Sequence, residues 1–210
     1  MNKTQSFIKK YLNSYLLQCQ RYSLNESEDI TPVPPTSKEL EMILSYLKAN
    51  HADFAIIGSI AIVKHLELTA DDYYQRVFRP TKYLEILIST PIPTPPKGWK
   101  LDEEMEAWFT SKNHYVKFLS TNGFFPNQEM KIGKDPESFE TGCPIADLLT
   151  LSQVNLNSGW VKDLLEIVTL WRKVGIPENL EQKLWNAKQL KQLELIKLGP
   201  MKRSQNENKQ

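Results

Sequence analysis

Cysteine, histidine, long apolar runs and an excess of charge of either sign are all scarce in this chain of 210 residues. Its 2 cysteines, Cys19 and Cys143, are too few for a disulfide scaffold and lack metal-type spacing, so a reduced compartment is expected. His51, His65 and His114 show neither ligand nor triad spacing and are read as structural. Lys and Arg total 26 against 25 Asp and Glu, a net charge of +1. That balance argues against a broad electrostatic grip on nucleic acid while leaving room for a local basic pocket. No apolar run approaches the ~20 residues that a membrane span requires. The apolar residues near the N-terminus are interrupted at helical spacing, unlike the core of a signal peptide. The expectation is a cytoplasmic protein that makes no contact with membrane.

What is present is ordinary for a soluble globular protein: 40% hydrophobic and 24% charged residues. Phe7, Ile8, Tyr11, Leu12, Tyr15, Leu16 and Cys19 recur at helical spacing and predict an amphipathic helix over residues 5–21. Prolines and acidic residues make 24–36 a linker between that helix, assigned to 1–23, and a main domain over 37–196. Thr36 and Glu39 form a capping box for a second helix striped by Leu40, Ile43, Leu44 and Leu47. Beyond the centre of the chain, Leu101, Met105, Trp108 and Phe109 predict a helix near 101–111. Tyr115 to Ser120 reads as a strand, and residues 129–132 as a further short one. The second half is helical. One helix includes Ile145, Leu148, Leu149 and Leu151. The next runs from Trp160 to Val174, with Ser158 placed to cap it and Gly175 to close it. Pro177 is expected to open a last short helix containing Leu180, Leu184 and Ala187, and 197–210 reads as a disordered polar tail. The tryptophans fall largely on apolar faces and belong to the core.

The stretch from Asp53 to Ser89 organises the rest. An apolar run, Phe54 to Ile57, stops at Gly58-Ser59 and passes into a helical pattern, which presents backbone N–H groups at a helix N-terminus. Residues 68–78 form a polar and aromatic insertion. Then Arg79-Pro80-Thr81-Lys82 leads into a strand with Leu84, Ile86 and Ile88 on one face and Tyr83 and Glu85 on the other. This arrangement resembles the polymerase-β-like nucleotidyltransferase superfamily, and within it the small prokaryotic antitoxin-type and AbiEii-type members. Their pattern is a hydrophobic residue, Gly, then Gly or Ser, followed after a helix by Arg-x-Thr-Lys-Asp-hydrophobic-Asp. Here Ile57-Gly58-Ser59 fits the first part and Arg79-Pro80-Thr81-Lys82 begins the second, with Tyr83 and Glu85 at the two carboxylate positions. Further on, Lys162-Asp163-Leu164 with Glu166 is similar to the branch's Lys-Asp-Leu-x-Asp motif. The likeness covers residues 40–190. It implies an α/β (α+β) fold, a small mixed sheet flanked by helices with a helical C-terminal half.

The resemblance also implies a site. Carboxylates from two adjacent strands would hold two divalent metals that bind the triphosphate and activate the attacking hydroxyl. At that face the chain offers Tyr83 and Glu85, and on the next strand Lys117 in place of a third acid. A neutral phenol is a poor ligand for Mg²⁺, which favours carboxylate and water oxygens. Glu85 is thus the surviving candidate for catalysis and for metal. Gly58, Ser59, Arg79, Thr81, Lys82 and Lys162 are the candidate nucleotide-binding residues. Asp71 and Asp72 could fold back as substitute ligands or remain solvated loop acids. Ser59 has no identifiable base partner, so nucleophilic catalysis is unsupported. Glu85 and Lys117 are expected to form an ion pair across the cleft.

The leading expectation is a degenerate nucleotidyltransferase, a pseudoenzyme that works by binding a nucleotide, an RNA or other nucleic-acid end, or a protein. The alternatives are an active enzyme of toxin–antitoxin type using Mg²⁺, and a structural subunit. The subunit would dock on a partner or a second copy through the Phe7–Cys19 stripe, since a stripe that size is not left exposed on a soluble monomer. Mg²⁺ is expected only if the protein is active.

Overall fold

The computed structural model describes residues 1–25, 32–67, 81–124 and 130–199. They form two compact units, Met1–Ala146 and Asp147–Gln210.

The first unit opens on one unbroken helical segment. Helix α1 (Lys3–Phe7) continues through a π-helical turn (Ile8–Leu12) into α2 (Asn13–Asn25). Phe7, Ile8, Leu12, Tyr15, Leu16 and Cys19 are all buried. The stripe packs inside its own unit, against α3 (Ser37–Ala49) and α4 (Gly58–Leu66). Polar ties fix the same arrangement. Thr4 Oγ1 donates to Thr141 O at 2.6 Å, Gln5 Nε2 to Glu41 at 3.1 Å, and Tyr11 Oη to Glu137 at 3.2 Å. The expected docking of this stripe on a partner or second copy is therefore corrected, because its apolar face is already covered by the chain's own helices. The Thr36–Glu39 capping box is present with both of its reciprocal bonds, and Leu40, Ile43, Leu44 and Leu47 are the buried face of α3, as expected.

Among the described residues the sheet has five strands: β1 (Phe54–Ile57), β2 (Leu84–Ile88), β3 (Lys100–Asp102), β4 (Ala107–Phe109) and β5 (Tyr115–Ser120). Their spatial order is β1-β2-β5-β4-β3. Only the β2–β5 pair is parallel; β1–β2, β4–β5 and β3–β4 are antiparallel. The mixed α/β class expected from the sequence is what the chain adopts. On one face Trp108 stacks edge-on against Phe118, with ring centroids 4.6 Å apart, and against Tyr46 of α3 at 5.9 Å.

The helix expected near 101–111 is instead the β3–β4 hairpin. Its turn is set by Asp102, whose carboxylate accepts the Met105 N–H at 3.0 Å, and by Glu106, which takes a left-handed φ of 49°. Leu101 and Met105 stay exposed, so the apparent helical stripe has no common face to bury. Residues 130–132 form no strand; Met130 and Ile132 are buried in irregular backbone, and Lys134 makes an isolated bridge to Ala146. Ile145 lies in a bridge to Ile56 rather than in a helix: Ile56 donates to Pro144 O and accepts from Ala146 N–H, covering the outer edge of β1. Two short helices complete this unit, α5 (Thr121–Phe124) and α6 (Pro136–Glu140).

The second unit holds α7 (Leu148–Ser158), α8 (Val161–Val174) and α9 (Ala187–Leu198). Asp147 caps α7 by accepting the Thr150 N–H, and Gly159 ends it at φ 67°. Gly175 closes α8. Trp160 is the N-cap residue of α8, and Ser158 serves that start from two residues before it. Its hydroxyl oxygen accepts the Trp160 N–H at 3.3 Å, and the hydroxyl faces the Asp163 carboxylate in the first turn and Asn155 O. Pro177 leads into turns and a 3-10 turn (Glu181–Lys183), and the last helix starts later, at Asn186, which caps it through the Gln189 N–H. Lys197 and Leu198, expected in the tail, are helical; residues 200–210 lie outside the described residues. Trp171 is buried and donates to Ser152 Oγ at 3.0 Å, whereas Trp160 is 75% exposed and is not a core residue. Among the described residues no helix is long and apolar enough to cross a membrane.

Candidate functional site

The end of β1 and the start of β2 meet because the two strands are antiparallel: Ile57 is the register partner of Glu85. The chain leaves β1 through Gly58, at φ 66°, directly into α4. A left-handed φ at that point favours glycine, and the end of the Glu85 side chain takes the space beside it. A Cβ built on Gly58 would fall 2.9 Å from Glu85 Cδ and closer still to its Oε2. The Glu85 carboxylate thus lies against the first turn of α4, where a helix N-terminus favours negative charge. No side chain caps that terminus through the N-cap residue, Ile57. Ser59 is buried beside it.

The row across the sheet continues from Glu85 to Lys117 of β5, its parallel partner, and then to Ala107 of β4. Glu85 and Lys117 therefore share a face, as expected. The ion pair between them does not form. The Lys117 ammonium instead stands over the Tyr83 ring, 5.6 Å from its centroid, a cation–π placement. Tyr83 is thereby held on the same face, just ahead of β2. Within β2 and β5 Glu85 is the only carboxylate. Among the described residues no group of three or more His, Cys, Asp or Glu side chains converges as a metal cage would.

The remaining candidates separate. Thr81 is buried and donates to Tyr83 O at 2.8 Å, so its hydroxyl shapes the turn into β2. Lys82 is exposed. Lys162 belongs to the second unit, in the first turns of α8, with its ammonium 3.8 Å from the buried Glu166. Arg79, Asp71 and Asp72 lie outside the described residues. Gly58, Ser59 and Glu85 are thus brought together, with Tyr83 and Lys117 completing the group.

Two residues of this face escaped the sequence reading. Phe109 and Tyr115 are register partners on β4 and β5, and their rings stack at 5.5 Å with planes 16° apart. Ala107 and Trp108 are both buried and Phe109 only partly so, and in so short a strand no alternation marks the segment against its helical reading.

Two of the histidines make structural contacts. His65 Nε2 lies 2.8 Å from Ala146 O, and His114 Nδ1 lies 2.8 Å from Glu39. Burial would raise the Glu39 carboxyl, but hydrogen bonds from His114 and Thr36 prevail and hold it down at about 2.

No protein-family model matches the chain, and no curated protein matches it either.

Proposed function

We propose that this is a nucleotidyltransferase-like protein that has lost metal-dependent nucleotidyl transfer and works by binding a nucleotide or nucleic-acid end. The observation that carries the reading is the placement of Lys117 over Tyr83, on the face it shares with Glu85. Two-metal transfer needs clustered carboxylates to hold its cations. Here a phenol and an ammonium satisfy one another at positions where the resemblance puts acids, and a resident cation repels Mg²⁺ and attracts phosphate. Glu85, turned to Gly58, is engaged at the helix terminus. The protein would act in the cytoplasm, with a protein ligand as the remaining binding alternative.

The test is transfer from labelled nucleoside triphosphates, with Mg²⁺ or Mn²⁺, to RNA and protein acceptors. No incorporation above background is expected. Metal-dependent incorporation that Glu85→Gln abolishes would establish an active transferase and overturn the proposal.

A further inference from the structure

The half of the sheet beyond Glu85 carries a row of side chains that the fold buries only in part, with the Phe109 and Tyr115 rings stacked on each other. Strand register fixes it: Lys100 of β3 pairs with Phe109 of β4, Phe109 with Tyr115 of β5, and Tyr115 sits one residue before the Val116–Leu84 pair, where its N–H donates to Val33 O at 2.9 Å. Lys117, two residues along β5 from Tyr115, projects from the same face and lies over Tyr83. The contrast with the opposite face is sharp. Trp108 and Val116, each one residue away in the same strands, are fully buried, whereas Phe109 and Tyr115 remain partly open to solvent and Lys100 is exposed.

We infer that this row is a stacking platform for unpaired bases of single-stranded nucleic acid, with Phe109 and Tyr115 receiving a base and Lys100 and Lys117 flanking it against the phosphates. The inference rests on the binding reading above and names its ligand class. Three considerations select this ligand. Aromatic rings on a sheet face accept any base by stacking, because every base has a π-face. Lys100 lies beside Phe109 at one end of the row, and Lys117 lies two residues along β5 from Tyr115 at the other. The acidic turn between β3 and β4, Glu103 to Glu106, lies at the other end of these strands, past the Ala107–Lys117 pair, so Lys100 and the Phe109–Tyr115 pair stand clear of it, while Lys117 shares its row with Asp102 and Glu85. With a net charge of +1 the chain supplies no long-range field. Affinity would come from stacking, with a shallow salt dependence. Two lysines neutralising one phosphate each give a slope of log K against log salt no steeper than about −1.4, at about −0.7 per phosphate on a single strand.

The probes are fluorescein-labelled oligouridylate and oligoadenylate, a blunt duplex of the same length, and unlabelled mononucleotides as competitors, followed by anisotropy on the full chain. Single strands are expected to bind in preference to the duplex. Phe109→Leu and Tyr115→Leu, which retain apolar bulk, should each weaken binding about 10-fold or more, the loss that stacking implies, while Tyr115→Phe leaves it unchanged. Lys117→Gln should flatten the salt slope by about 0.7. Thermal melts establish that each variant is folded, and the Lys117→Gln slope and the Tyr115→Phe result test the platform even where a leucine variant is unstable. Leucine variants that bind like wild type, or a slope unmoved by Lys117→Gln, overturn the platform while leaving the binding reading intact. Duplex preference also overturns it. Absence of binding to every oligonucleotide and mononucleotide overturns both, and leaves a protein ligand as the alternative.

Discussion

The carboxylate of Glu85 occupies the space that a side chain on Gly58 would need. Gly58→Ala would meet two penalties, a left-handed φ and a collision with Glu85. It should cost about 2–4 kcal/mol in urea unfolding. Because the collision is one of the two, Gly58→Ala should cost less in a Glu85→Ala background, with a coupling of about 1 kcal/mol. Additive costs in the double-mutant cycle would mean that Glu85 yields freely and that the glycine is required for φ alone.

Glu39 links the cap of α3 to the start of β5, through Thr36 and His114. Its folded pKa of about 2 lies below the ordinary carboxyl value of 4.5. The sign follows from linkage: the stabilisation is complete above the unfolded value and is lost as pH falls through about 4.5 toward about 2. At neutral pH, Glu39→Gln should lower stability by about 2 kcal/mol, allowing for partial solvent screening. Chemical unfolding at pH 7 and pH 3 should show the gap between variant and wild type narrowing in acid. A constant gap would place the loss in packing or geometry, not in charge.

The N-terminal helical segment offers a paired comparison. Leu12 is fully buried within the first unit, and Leu17, five residues on, is 46% exposed. Leu12→Ala should cost about 2–5 kcal/mol, and Leu17→Ala within about 0.5. Removing the segment should expose the apolar faces of α3 and α4 and destabilise the unit. Equal, small effects of the two substitutions would show that the stripe contributes nothing to the core.

Neither Cys19 nor Cys143 is in a disulfide and both are buried, and burial pushes the Cys143 thiol up to about 12. Neither should react with a disulfide reagent at pH 8 in the native protein, and both should react in denaturant. Rapid native labelling of Cys143 would show that the loop around Gly142 opens readily.

Much of the helical framework was legible because its signals are local. The capping box at Thr36 and Glu39, the terminators Gly159 and Gly175, and the alternation from Leu84 to Ile88 each depend on residues within a few positions of one another. The misreadings arose where a local pattern was ambiguous. Leu101, Met105 and Trp108 fit a helical period, yet Trp108 belongs to a strand and buries against α3 and β5, partners far away in sequence. Ile145 has an apolar neighbourhood on either side, and the backbone of Ile56 captures it. At the site, the face shared by Tyr83 and Glu85 was readable from alternation. The turn of Lys117 toward Tyr83 was not, since an ammonium between a carboxylate and a ring is decided by rotamers and neighbours. The approach of Glu85 to Gly58 likewise needed the antiparallel register of β1 and β2.

The π-helical turn at Ile8–Leu12 makes the first helix sensitive to length. Each hydrogen bond there spans one residue more than in an α-helix, so the segment holds an extra residue within its turn. Deleting one residue between Lys9 and Tyr11 would let a regular α-helix form, and that greater regularity would be harmful. At about 100° of rotation per residue, everything before the deletion would swing around the axis relative to Tyr15, Leu16 and Cys19. Phe7 and Ile8 would leave the core, and Thr4 and Gln5 would lose their reach to Thr141 and Glu41. The irregular turn works as a phase corrector, keeping two stretches of one helix aimed at the same surface.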